Sequence, residues 1–188
     1  MHAESAQIKE VANLVAALEN GGFHPILVGG MALVTMGSQR ITKDFDFLVS
    51  RPSPTSKVLV EIMYSHKLEL VTKFNNDREV IRTVDNPRIA TMKIDGEAPK
   101  SITFYSWDTR LRVDLLLDFP LPAQAIAGRA IKVSFHSHKM RIATPKDLLA
   151  LKEIAYKDRK SANDAQDLEF LKERMSPSTP KRRSGSRE

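Results

Sequence analysis

The sequence predicts an α/β fold, more closely α+β: a mixed sheet flanked by helices, with a helical C-terminal part. Three observations lead there. Short apolar runs with period-two alternation recur through the middle of the chain. Stretches with apolar residues three and four apart bracket them at both ends, and glycine, asparagine and proline clusters separate one run from the next.

Ile8, Val11, Ala12, Val15 and Leu18 form one stripe of a first helix, which Gly21-Gly22 ends. Pro25-Ile26-Leu27-Val28-Gly29 reads as a buried strand over 25–29. Met31 to Met36 continues as a short helix over 30–36, stopped by Gly37. A strand over 43–49 and a helix over 54–66 follow. From Leu68 to Phe119 the pattern predicts strands separated by turns at Asn75-Asn76-Asp77, Asp85-Asn86-Pro87 and Asp95-Gly96-Glu97. A strand or hairpin over 131–143 leads into two closing helices. Thr144 is a good N-cap for the first, and Pro145 suits its opening position. Leu148, Leu151 and Ala155 would face the core and leave Lys152 bordering a cleft. The expected organisation is a core over 1–143, a helical part over 144–175 packed on it, and a basic, disordered tail over 176–188.

The chemistry concentrates between Ile26 and Val49. In Lys43-Asp44-Phe45-Asp46-Phe47-Leu48-Val49, extended backbone sends Asp44 and Asp46 to one face and the two phenylalanines to the other. Two carboxylates a few ångströms apart repel by roughly 4 kcal/mol at an effective dielectric of about 20, so such a pair is neutralised by a cation, a base or a shared proton. Mg²⁺ suits it, because this hard cation takes oxygen ligands and shares its shell with substrate phosphates. Alternatively, the pair is solvated on an edge strand. Gly29-Gly30 is either a simple tight turn or a bend whose bare backbone amides approach phosphate oxygens. In Leu111-Arg112-Val113-Asp114-Leu115-Leu116-Leu117-Asp118, Asp114 is an acid inside an otherwise apolar strand, where burial without a partner is costly. Asp118, before Pro120, reads as a turn acid.

Gly29-Gly30, then Arg40-x-Thr42-x-Asp44-x-Asp46, then the strand acid Asp114 resemble the DNA polymerase beta-type nucleotidyltransferase superfamily. The likeness is to its minimal bacterial branch of AbiEii-like toxins and related nucleotidyltransferases, and it covers roughly Val11 to Leu171. It implies a nucleotidyltransferase-like sheet and an enzyme that moves an NMP from an NTP to an acceptor. By the same likeness Asp44, Asp46 and Asp114 are the carboxylates holding Mg²⁺ or Mn²⁺. Arg40 and Thr42 join Gly29 and Gly30 around the triphosphate. Pro145-x-Asp147-Leu148-Leu149-x-x-Lys152, followed by an acid-bearing helix, is typical of the branch as well. It implies that Lys152 contacts NTP phosphates and that Asp164 or Asp167 orients it or the acceptor. Many members carry Gly-Ser where this chain has Gly29-Gly30, so a hydroxyl that helps hold the triphosphate is absent here.

The implied acceptor is RNA, such as tRNA, or a protein, with an antitoxin as partner. An antibiotic-modifying transferase and a non-catalytic binding module of the same fold are the competing functions. At 188 residues and 41% hydrophobic, the chain supports one compact core. No apolar run approaches the roughly 20 residues of a membrane span, and no secretory pattern opens the sequence, so a cytoplasmic protein is expected. The absence of cysteine removes thiol nucleophiles, disulfides and cysteine-ligated zinc. A net charge of +6 is partly local to the tail, and Lys57, Lys67, Lys73, Arg78, Arg82 and Arg88 could extend a basic surface. His136 and His138 share a strand face without a third ligand nearby. Trp107, beside Tyr105 and Asp108, either stacks a base or packs a core edge.

Overall fold

The computed structural model describes residues 2–50, 56–135 and 138–176. The basic tail from 177 onward and His136 lie outside the described residues, as does the side chain of His138. Among the described residues an eight-stranded mixed sheet runs in the order β4-β3-β5-β6-β2-β1-β8-β7. Its strands are β1 (Ile26–Val28), β2 (Asp44–Val49), β3 (Glu69–Phe74), β4 (Val80–Val84), β5 (Ser101–Tyr105), β6 (Arg112–Leu117), β7 (Ile131–Phe135) and β8 (His138–Ile142). The helices are α1 (His2–Asn20), α2 (Gly29–Thr35), α3 (Ser56–Ser65), α4 (Pro87–Glu97), α5 (Ala123–Ala127), α6 (Pro145–Arg159) and α7 (Ala162–Met175).

The apolar stripe of α1 buries Val11, Ala12, Leu14, Val15 and Leu18, and β1 is buried throughout, as expected of a central strand. Strands β2 and β6 pair in parallel, with Phe45 beside Val113 and Phe47 beside Leu115. Those four side chains are buried, so the intervening residues Asp44, Asp46, Arg112 and Asp114 must emerge on the opposite face. This alternation positions the site.

One stretch differs from the sequence expectation. Pro87 to Glu97 is the helix α4, not a turn between strands. Asn86 is its N-cap, accepting from the amides of Arg88 at 2.9 Å and Ile89 at 3.3 Å, and Pro87 occupies the first turn. Asn-Pro signals a turn and a helix start equally well. The deciding feature is Ala90 and Ile94, four residues apart and both buried. The turn at Asn75 was read correctly: it joins β3 to β4, closed by the Asn75 amide donating to the Glu79 carbonyl at 2.9 Å. No helix among the described residues is long and apolar enough to cross a membrane.

Candidate active site

Asp46 pairs with Val28 of β1 on one side and Asp114 of β6 on the other, so two carboxylates stand on neighbouring strands about 4.8 Å apart along the sheet. Asp44, two residues earlier, lies beside Arg112 in the same register. The three acids face a cleft of about 1090 Å³ that is also lined by Gly29, Gly30, Arg40, Thr42, Lys152 and Asp164. Of the catalytic, nucleotide-binding and metal-holding residues that the resemblance implies, only Asp167 is not part of this lining. It is buried, and it holds Arg40 and Lys152 from beneath.

Gly29 explains why the bend needs glycine. Its φ is +66°, in the left-handed region, and a Cβ there would overlap the Asp46 carboxylate, meeting Cγ at 2.6 Å. The carboxylate therefore rests directly on the backbone. Gly29→Ala is expected to lose about 1 to 2 kcal/mol from the left-handed backbone alone, plus the cost of displacing Asp46. Gly22, at φ +83° with nothing within 4 Å of its Cβ position, supplies the comparison. In urea melts Gly22→Ala should show the backbone cost only, and equal losses for the two would refute the overlap. Gly30 plays another part: a Cβ there would meet Arg40 Nε at 3.0 Å and Cζ at 3.1 Å, so the guanidinium lies against it.

Electrostatics mark Asp46. Burial first, and then the neighbouring Asp114 carboxylate, push its pKa up to about 7 against the pull of Lys152. Burial also raises Asp44, opposed mainly by Arg112. Arg112 was not singled out from the sequence, yet it bridges the acids, 3.0 Å from Asp114 and 3.7 Å from Asp44. Thr103 of β5 donates its hydroxyl to Asp114.

The helical end of the cleft is a chain of alternating charges. Arg40 pairs with Asp167, and Lys152 Nζ sits 2.6 Å from Asp167 and 3.2 Å from Asp164. Arg159 completes it, 3.2 Å from Asp164. Asp164 and Asp167, three apart on α7, share one face as their spacing requires. Lys152 borders the cleft as expected but is buried and committed to two carboxylates.

The donor set suits a hard divalent cation: among the described residues it is three carboxylates, and the burial that raises Asp46 is opposed only in part by Lys152 and Arg112. Among the described residues no three acidic or histidine side chains close into a ready metal shell. Asp114 is drawn onto Thr103 and Arg112 instead. Some of the basic side chains named above are engaged elsewhere. Arg78 lines the cleft, whereas Lys57 pairs with Glu61 at 3.8 Å and Lys67 with Asp108 at 3.1 Å.

Two solved structures resemble this fold. An antigenic nucleotidyltransferase-like protein from Paracoccidioides brasiliensis aligns at 17% identity over 93% of this chain and 79% of its own, with a TM-score of 0.52. The lincosamide antibiotic adenylyltransferase LnuA, bound to lincomycin, aligns at 11% identity over 87% of this chain and 95% of its own, with a TM-score of 0.53. At such identities the likeness concerns the fold. No curated protein matches the sequence. The family described as nucleotidyl transferase AbiEii toxin, type IV toxin-antitoxin system, matches residues 12–184. The chain belongs to this AbiEii family and is a nucleotidyltransferase.

Proposed function

We propose that the cleft transfers an NMP from an NTP to an RNA or protein acceptor, with Asp44, Asp46 and Asp114 holding Mg²⁺ or Mn²⁺, as the toxin of a toxin-antitoxin pair. The observation that carries this reading is the register of Asp46 against Asp114 beside the Gly29 bend, which gathers acids from separated segments where burial disfavours the charge of Asp46. Bound there, the divalent ion supplies Lewis-acid neutralisation of the triphosphate.

The chain's own residues do the rest. The Gly29 and Gly30 amides, Thr42 and Arg40 grip the triphosphate, Arg40 being held in place by Asp167. Asp114 faces the acceptor and takes its proton as the acceptor oxygen attacks the α-phosphorus. The bond to the β-phosphate breaks, and pyrophosphate leaves toward Arg40 and Lys152. Lys152 balances the negative charge at that end, and Asp164 and Asp167 orient it. An antitoxin would be the cognate partner of such a toxin, as family membership suggests.

The test is to incubate the purified chain and divalent metal with cell lysate and each α-labelled NTP, then separate RNA from protein. Label is expected in one of these fractions, together with growth arrest when the chain is induced in cells. Transfer confined to small molecules, with normal growth, would favour a drug-modifying enzyme and refute this acceptor. Absence of label with all four NTPs would refute the reading altogether.

A further inference from the structure

The cleft continues beyond the acids onto a surface that the transfer chemistry leaves unused. Tyr105, the last residue of β5, lies beside Arg112 in register, while Thr103, two residues earlier, lies beside Asp114. Tyr105 is therefore level with Asp44, two strands away, and about 7 Å along the strand direction from the level of Asp46 and Asp114. Trp107 follows in the turn after β5, and its ring meets Tyr105 edge to face, with centroids 5.0 Å apart and planes at 85°. Its indole N–H donates to the Thr83 hydroxyl at 2.9 Å, which fixes the ring's orientation.

Trp107 is nevertheless 52% exposed, and both residues line the cleft. A core-edge tryptophan buries its faces. This one is pinned by its edge and by its neighbour while a large surface stays open. Two arginines line the same cleft. Arg78 and Arg110 sit on the tight turns between β3 and β4 and between β5 and β6, with φ of 63° and 55°, and both line the cleft. Neither forms an ion pair among the described residues, although Arg78 lies near enough to Asp44 to lower its pKa. Non-glycine residues in the left-handed region are uncommon and are held there only by surrounding structure.

We propose that Trp107 and Tyr105 form a stacking subsite for a nucleobase, with Arg110 and Arg78 engaging the phosphates attached to it. An aromatic face in a cleft that also carries guanidinium groups is the combination that binds a base and its backbone together, and it tolerates any base because each has a π face. The base belongs either to the NTP or to an unpaired nucleotide of the acceptor. The inference rests on the enzyme handling nucleotides, which family membership provides, and not on which residues hold the cation.

Trp107 is the single tryptophan of the chain, so its fluorescence reports on this subsite alone. The full chain is titrated with each NTP, with a short single-stranded RNA oligonucleotide, and with inorganic tripolyphosphate, which lacks a base. Quenching by NTP but not tripolyphosphate assigns the NTP base to the subsite. Quenching by the oligonucleotide alone assigns the acceptor base. Trp107→Ala should weaken binding of the quenching ligand by about tenfold or more in equilibrium dialysis, with Trp107→Phe close to the parent and thermal melting unchanged in both. Unquenched fluorescence in all titrations, equal quenching by tripolyphosphate, or undiminished affinity in Trp107→Ala would each overturn the subsite. Loss of transfer with quenching intact would instead count against the catalytic reading alone.

Discussion

Replacing Asp46 with asparagine should abolish nucleotidyl transfer while making the metal-free protein more stable around pH 8. The two effects share a cause. In the folded chain, burial and then Asp114 push the Asp46 pKa to about 7, from an ordinary 3.8. A carboxyl whose folded pKa lies above its unfolded value favours the folded state fully below the unfolded pKa. That contribution is lost as pH rises through the folded pKa, here between about 4 and 7. At about 1.36 kcal/mol per unit, a rise of about three units amounts to on the order of 4 kcal/mol of destabilisation above neutrality. Asparagine has no charge to bury. With chelator present, its thermal midpoint should exceed the parent's around pH 8, and the gain should fade toward about pH 4. Transfer of labelled NMP should fall on the order of a thousandfold or more, because an anionic ligand to the cation is gone. Full transfer in the variant would remove Asp46 from the chemistry, and a less stable variant around pH 8 would contradict the electrostatic account.

Lys152→Met should cost about 3 kcal/mol in urea unfolding. Lys152 sits between two buried carboxylates, and removing the cation from a buried pair leaves charge uncompensated, typically at 3 to 5 kcal/mol. Arg40 and Arg159 remain as second partners to Asp167 and Asp164, which places the loss at the lower end of that range. Adding Asp164→Asn to the first change should recover part of the stability, since Arg159 is half exposed and can return to water. A double variant that is the sum of its parts would show that the charges act independently.

Much of the site was legible because strand periodicity is local. Phe45 and Phe47 had to be buried, so Asp44 and Asp46 had to face away, and an acid in the apolar run around Asp114 needed a reason to be there. What brings Asp46 beside Asp114 is cross-strand register, which no local pattern encodes. For the same reason Arg112 and Thr103 escaped notice. Each becomes meaningful through a neighbour, Arg112 across from Asp44 and Thr103 across from Asp114. The charge pairs of Lys152 were hidden for a different reason. Helical spacing put the lysine at the cleft and placed Asp164 and Asp167 on one face, but the angle at which α6 and α7 meet is a tertiary outcome. Helix α4 was missed where Asn86-Pro87 carries two valid local meanings and only the packing of Ala90 and Ile94 chooses between them.

The contact between Arg40 and Asp167 joins positions 127 residues apart. Arg40 and Lys152 are both held by acids of α7, so docking of that last helix and completion of the cleft's cationic end are one event.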